Sequence, residues 1–63
     1  MNSKIHMTEA AKAIYRELSK APATVGEIAQ NTHLSYECSL LILTQLEMVG
    51  LAHENLGGYT LPQ

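Results

Sequence analysis

Residues 35–50, with the sequence SYECSLLILTQLEMVG, constrain the fold of this 63-residue chain more than any other stretch. The stretch opens with a serine, whose hydroxyl can cap a helix, and closes with a glycine, which can end one. Between these two residues lies the strongest run of good helix formers in the chain. The sequence therefore predicts a helix over about residues 35–49, and the other elements must be arranged around it.

A first helix is predicted over about residues 8–20. Thr8 can serve as its N-cap, and Glu9 places a negative charge in the first turn, where it suits the helix dipole. Ile14 and Leu18 are four residues apart and define the buried side, together with Ala10, Ala11 and Tyr15. Pro22 ends this helix because proline has no backbone N–H to donate.

A second, shorter helix is predicted over about residues 25–31. Thr24 and Glu27 have the spacing of a capping box, in which each side chain accepts a hydrogen bond from the backbone of the other residue. Ile28 and Ala29 are expected to face inward. Residues 31–34 then form a turn, with Leu34 filling the space between helices, so the second and third helices make a helix-turn-helix.

The hydrophobic pattern changes to a period of two after Gly50, which is typical of strands with one buried side. Gly57 and Gly58 predict the turn of a hairpin because glycine adopts positive φ freely. The side expected to be buried consists of Leu51, His53, Tyr59 and Leu61, and the other side of Ala52, Glu54 and Thr60. Residues 23–25 are long enough for a minimal edge strand only.

Three helices followed by a two-stranded wing over residues 51–61 make a winged helix-turn-helix, a mainly α fold of the α+β type. The domain is predicted to span residues 8–63, with residues 1–7 as a lead-in or linker. A chain of this length supports one small core, because folding removes only about 60% of its accessible surface from water.

Enzyme chemistry, cofactors and metals find no support in the sequence. His6, His33 and His53 are twenty or more residues apart, and Cys38 is the single cysteine, so no zinc-ligand spacing occurs. Cys38 is expected to fill space rather than to act as a nucleophile. A lone cysteine and the lack of a long apolar run predict a cytoplasmic protein with no membrane contact.

The charges are divided unevenly along the chain. Residues 1–20 hold Lys4, Lys12, Arg16 and Lys20 against two glutamates, for a net charge of +2. Residues 21–63 hold four glutamates and no Lys or Arg, for a net charge of −4, which accounts for the total of −2. A domain that grips phosphates through its third helix and wing would need the opposite sign there. The stripe of Lys12, Arg16 and Lys20 is expected to be a solvated helix side.

The outward side of the third helix is predicted to lack the residues that read DNA. The buried set is Ser39, Ile42, Leu43 and Leu46. The outward set is Tyr36, Glu37, Leu40, Leu41, Thr44, Gln45 and Met48, of which only Gln45 is a candidate base reader. Two interpretations of the apolar members remain open. Either the helix is buried further round, against the first helix or the wing, or Leu40, Leu41 and Met48 form a contact surface for another protein.

Three sequence segments carry a resemblance to a known family. They are TVGEIA at residues 24–29, LTQLEMVGL at residues 43–51, and LGGY at residues 56–59. The region from residue 24 to residue 61 resembles the winged-helix domain at the C-terminus of DNA-processing protein A (DprA, also called Smf). That family's domain typically has a T-x-x-E-L-A opening, an L-T-x-L-E-x-x-G-L helix end and an L-x-G-G-x-Y wing.

The resemblance implies an accessory module of a protein that protects incoming single-stranded DNA and loads recombinase during natural transformation. In that family a Rossmann-like domain holds most of the DNA, so this chain would act mainly through protein contacts. Its partner would be its parent chain, a second copy or a recombination protein. The alternative is a free-standing winged-helix transcription regulator. It would bind duplex DNA through Lys4, Lys12, Arg16 and Lys20, or through Tyr36 and Gln45.

Overall fold

Three helices and three short strands make up the fold in a computed structural model, which describes residues 7–62. In chain order the elements are α1 (Glu9–Lys20), β1 (Ala23–Thr24), α2 (Val25–Thr32), α3 (Tyr36–Met48), β2 (His53–Asn55) and β3 (Gly58–Thr60). The predicted order of three helices followed by a hairpin is confirmed. The lead-in residues 1–6, which include Lys4 and His6, lie outside the described residues.

Each helix begins at a side-chain cap that the sequence predicts. The Thr8 hydroxyl accepts a hydrogen bond from the Ala11 backbone N–H at 3.1 Å. The Thr24 hydroxyl accepts from the Glu27 N–H at 3.2 Å, and the Glu27 carboxylate accepts from the Thr24 N–H at 2.9 Å, which completes the capping box. Ser35 caps α3 in the same way by accepting from the backbone N–H of the third helical residue. These bonds satisfy N–H groups that a helix start leaves without partners.

The helix-turn-helix segment depends on two left-handed residues. His33 ends α2 with φ +60° and ψ +33°, one residue later than predicted, and the Leu34 N–H donates to the Ala29 carbonyl at 3.1 Å. Gly50 follows the C-cap of α3 with φ +83°. Its N–H donates to the Glu47 carbonyl, and the next N–H donates five residues back, to the Leu46 carbonyl at 2.8 Å. This pair of bonds is a Schellman motif, in which glycine is favoured at the left-handed position.

The wing is part of a three-stranded antiparallel sheet with the order β1-β3-β2. The predicted edge strand therefore exists, although it consists of residues 23 and 24 only and residue 25 already begins α2. The predicted turn at Gly57 and Gly58 is wrong by one residue. Asn55 pairs with Gly58, so the two-residue turn is Leu56 and Gly57, with φ +55° and +82°. Two successive positive φ values are the requirement of a type I′ turn, which matches the twist of the flanking strands.

This register also corrects the predicted buried side of the wing. Glu54 lies opposite Tyr59, and His53 lies opposite Thr60. Since residues two apart in a strand share a face, Ala52, Glu54 and Tyr59 lie on one side of the hairpin. Ala52 and Tyr59 are buried and His53 is exposed, the reverse of the prediction for Ala52 and His53. A shift of one residue in a strand moves every side chain to the other face.

The core draws on all three helices and the wing. Its buried members are Ile14, Leu18, Val25, Ile28, Leu43, Leu46, Ala52 and Tyr59. Leu34 and Ile42 are half-buried against this cluster, as are Leu51 and Leu61. Met7, which was assigned to the lead-in, also packs on the core, so the packed chain starts before the cap of α1.

Candidate interaction surface

Helix α3 separates its buried and exposed residues as the sequence predicts. Ser39, Leu43 and Leu46 are buried. On the opposite side Leu40 is 39% exposed, Leu41 59% and Met48 80%. These values exclude the first interpretation of the apolar residues, because a helix buried further round would cover them. The outward side of α3 is therefore an exposed apolar surface.

We call Leu40, Leu41 and Met48 the apolar patch. Thr44 comes four residues after Leu40, three after Leu41 and four before Met48, so each of these three side chains neighbours Thr44 on the helix surface. The Thr44 hydroxyl donates to the Leu40 carbonyl at 2.8 Å and is thus committed to the helix's own backbone. As a result, the centre of the apolar patch offers a ligand a hydrogen-bond acceptor but no free hydroxyl donor.

Large exposed apolar side chains are concentrated in one part of the chain, residues 36–56. Among the described residues they are Tyr36, Leu40, Leu41, Met48, Val49 and Leu56, all in α3, its C-cap or the wing turn. Two further exposed residues were not predicted from the sequence: Val49, which is 51% exposed, and Leu56, which is 98% exposed. The available signal for Leu56 was its position before a turn glycine, which places a side chain at the tip of a hairpin.

Carboxylates lie towards both ends of α3 and on the wing. Glu37 precedes Leu40 and Leu41 by three and four residues and so neighbours both on the helix surface. Glu47 is adjacent to Met48 at the other end of α3, and Glu54 lies on the wing. Burial raises the pKa of the Tyr59 hydroxyl above its usual 10.0, and the negative charges of Glu54 and then Glu47 raise this pKa further. Both carboxylates are thus close enough to Tyr59 for their fields to act on it.

The predicted nucleic-acid residues lie on two separate elements. Lys12, Arg16 and Lys20 are exposed along α1, turned away from the side that buries Ile14 and Leu18. Tyr36 and Gln45 are both on α3, but nine residues is about two and a half turns, which puts them at opposite edges of its outward side. The five residues therefore do not form one continuous surface.

Two of the three described cations are close to an acid on their own helix. Lys20 Nζ is 3.1 Å from Glu17 Oε2, and Lys12 Nζ is 3.9 Å from Glu9 Oε2. Nearby carboxylates reduce the positive field that a phosphate backbone would meet. Arg16 is the third exposed cation of α1, and it forms no ion pair within residues 7–62.

An open groove of about 470 Å³ lies between the end of α1 and α2. Its polar side chains already bind one another, since Glu17 accepts hydrogen bonds from Lys20 at 3.1 Å and from Asn31 at 3.3 Å. Glu27, which also lines the groove, is engaged in the capping box. The hydrogen bond between Asn31 and Glu17 therefore links α2 to α1 across this groove.

No group of three or more His, Cys, Asp or Glu side chains within residues 7–62 is arranged to hold a metal ion. Cys38 is half-buried in the first turn of α3. None of the helices in this part of the chain combines the length and apolar character that crossing a bilayer requires.

Comparison with known proteins relates the chain to one family and one solved fold. No curated protein matches its sequence significantly. A solved structure of PigF with SAH superposes with a TM-score of 0.68 at 23% sequence identity, over 82% of this chain and 18% of the PigF chain. At this identity the similarity concerns the fold alone, and the chain spans less than a fifth of PigF. The family description "DprA winged helix domain" matches residues 3–58, which is most of the sequence. This chain therefore belongs to the DprA winged helix domain family.

Proposed function

We propose that this chain is a non-catalytic module of a DNA-processing protein of the DprA type, acting mainly through protein contacts in the cytoplasm. The observation that carries the proposal is the outward side of α3, where the apolar patch is exposed and no cation is present. Exposed apolar surfaces on small domains commonly mark protein contacts, and methionine adapts well to such interfaces. Membership of the DprA winged helix family supports a role in DNA processing, including natural transformation.

Direct duplex binding through α3 has little physical support. Phosphate contacts by Lys and Arg supply most of the affinity that proteins have for DNA of any sequence. Residues 21–63, which include α3 and the wing, contain four glutamates and no Lys or Arg. A duplex placed against this surface would meet carboxylates where it needs cations.

The second candidate is a free-standing DNA-binding regulator, which is favoured by one observation, the exposed Lys12, Arg16 and Lys20 on α1. This function requires binding to duplex DNA that weakens steeply as salt rises. Fluorescence anisotropy with random duplex and single-stranded oligonucleotides at low salt tests the requirement. We expect no binding. Salt-sensitive binding that is lost in a triple variant with glutamine at positions 12, 16 and 20 would favour the regulator instead.

Truncation of the apolar patch tests the proposed protein contact. In the triple variant L40A/L41A/M48A, we expect weaker self-association, or weaker docking to the DprA-type protein encoded in the same genome. Sedimentation velocity measures the first, and co-purification with that protein measures the second. Arg16→Ala is the matched control, because it removes a long exposed side chain from a different element and is expected to change neither result.

The result that would overturn the proposal is equally definite. If both the sedimentation profile and the co-purification are the same for the triple variant and the unmodified chain, the apolar patch is not a protein interface. Circular dichroism of each variant establishes that the helices are retained, so that a loss of binding is assigned to the patch rather than to unfolding.

A further inference from the structure

Negatively charged side chains lie towards both ends of the α3 surface that carries the apolar patch, and a third lies on the wing. Glu37 neighbours two of its members within α3, Glu47 lies in the last turn of the same helix, and Glu54 lies on the wing strand that pairs with β3. No lysine or arginine is present anywhere in residues 21–63 to offset these carboxylates. The surface thus combines exposed apolar side chains with an acidic border.

The wing contributes to the same border as α3. Glu54 is directly opposite Tyr59 in the β2–β3 ladder, and Tyr59 belongs to the core cluster together with Leu43 and Leu46 of α3. Glu47 follows Leu46 in the chain and is exposed. The wing carboxylate and the α3 carboxylate are therefore held at neighbouring edges by one shared set of buried contacts.

Charge complementarity discriminates among the possible occupants of this surface. A polyanion would be repelled. A second copy pairing α3 against α3 would bring glutamates near glutamates, and no cation from α3 or the wing would be available to separate them. A partner helix with an apolar stripe flanked by Lys and Arg satisfies both features at once, because its stripe covers the apolar patch and its cations meet the carboxylates.

We propose that the apolar patch, together with Glu37, Glu47 and Glu54, forms a docking site for a basic amphipathic helix of a partner protein. This inference rests on the proposed function, since it names the chemistry of the partner for the same surface. The exposed carboxylates are expected to contribute specificity and rate of association, and the apolar side chains most of the affinity.

Selection from a random peptide display library against the immobilised chain tests the partner's chemistry directly. We expect the enriched peptides to carry apolar residues at three- and four-residue spacing with Lys or Arg between them. A parallel selection on L40A/L41A/M48A should lose these peptides, whereas a selection on the control Arg16→Ala should retain them.

Synthesised peptides from the selection then separate the roles of charge and apolar contact. Replacing Glu37, Glu47 and Glu54 by glutamine together should weaken binding of the enriched peptides about threefold to tenfold, as expected for a few exposed ion pairs. Raising the salt concentration should weaken binding to the unmodified chain more than binding to the glutamine variant. Isothermal titration calorimetry measures both effects.

Different outcomes overturn different statements. Enriched peptides that are neutral or acidic, but still depend on the apolar patch, would refute the basic partner and leave the proposed protein contact in place. Enriched peptides that bind the patch-truncated variant equally well would refute both. A concentration-dependent dimer that is abolished in L40A/L41A/M48A would identify a second copy as the occupant and would likewise refute the basic helix.

Discussion

Ser39 is a polar residue on the core side of α3, with no accessible surface. Its hydroxyl oxygen has no hydrogen-bond partner among the described residues. Burying a hydroxyl without a partner costs more than a hydrogen bond normally contributes, because the group gives up its bonds to water. The side chain is small, so the cost of burying it arises from its polarity rather than from its size.

Replacing Ser39 by alanine is expected to stabilise the domain by about 1 kcal/mol, since the change removes the unpaired hydroxyl and keeps almost the same volume. Urea unfolding followed by circular dichroism measures the midpoint. Thr44→Ala is the control, because the Thr44 hydroxyl is exposed and already bonded to the Leu40 carbonyl, so a smaller change is expected there. A lower midpoint for Ser39→Ala would show that the hydroxyl has a partner after all.

Ionisation of the Tyr59 hydroxyl makes the stability of the domain depend on pH in the alkaline range. Burial and the neighbouring Glu54 and Glu47 raise its pKa above 10.0, so the folded state holds the phenolic proton more tightly than the unfolded state does. This contribution to stability is fully present below pH 10.0, the unfolded value, and is lost as pH rises through the higher folded value.

We therefore expect the free energy of unfolding to fall more steeply above pH 10.0 in the unmodified chain than in Tyr59→Phe, which has no phenolic proton to lose. Urea unfolding at a series of pH values measures the difference. The phenylalanine variant keeps the aromatic ring and its packing, so a difference in slope is assigned to the hydroxyl rather than to lost packing. Identical slopes in the two proteins would mean that Tyr59 does not titrate differently on folding.

At the scale of the element, each helix of this domain is delimited by local backbone chemistry. Side-chain caps start all three helices, and the left-handed residues His33 and Gly50 end α2 and α3. Because these devices act over three to five residues, they can be recognised in the sequence without knowledge of the fold. The wing turn is different, since a leucine holds one of its two left-handed positions.

Replacing Gly50 by alanine is expected to destabilise the domain by about 1–2 kcal/mol, because a Cβ is disfavoured at a φ of +83°. No atom lies within 4 Å of the added Cβ, so the effect comes from the backbone conformation and not from a clash. Thermal unfolding measures the loss.

Gly26→Ala provides a control of opposite sign. Gly26 lies in the first turn of α2, where an added Cβ would meet only the Thr24 hydroxyl oxygen at 3.9 Å. Alanine is the better helix former, so stability should rise by up to about 1 kcal/mol. If both alanine variants changed stability in the same direction, the conformational explanation for Gly50 would be wrong.

At the scale of the whole molecule, a single small core holds the helices and the wing together. Its buried members come from every helix and from the hairpin, and domains of this size have a net stability of only a few kcal/mol. One core leucine is therefore a large part of the total. The same helix that supplies Leu43 to this core also presents Leu41 to solvent, which allows a direct comparison.

Leu43→Ala is expected to cost about 2–5 kcal/mol, because it leaves a cavity at a fully buried position. Leu41→Ala is the same chemical change two residues away, at a position that is 59% exposed, and should cost no more than about 0.5 kcal/mol. Urea unfolding of both variants makes the comparison. Equal losses would mean that Leu41 is packed, and the apolar patch would then no longer stand as an exposed surface.

Much of the fold and part of the candidate site follow from the sequence alone. The caps at Thr8, Thr24 and Ser35, and the assignment of Leu40, Leu41 and Met48 to the outward side of α3, depend on hydrogen bonds and periodicity within one element. Such signals are complete within a few turns of helix, so no knowledge of the neighbouring elements is needed to interpret them.

The tertiary structure alone decided the features that depend on how elements meet. A strand's pattern does not say which of two adjacent residues turns inward, so the pairing of Glu54 with Tyr59 was needed to bury Ala52 and expose His53. Likewise, the packing of Met7 could not be predicted from its own segment, because Met7 packs against a core that other elements form. Whether the apolar patch is covered, and whether the wing brings a carboxylate beside α3, depends on contacts between residues far apart in the chain. The periodicity of a sequence shows which residues share a face of one helix or strand. It does not show which other element packs against that face.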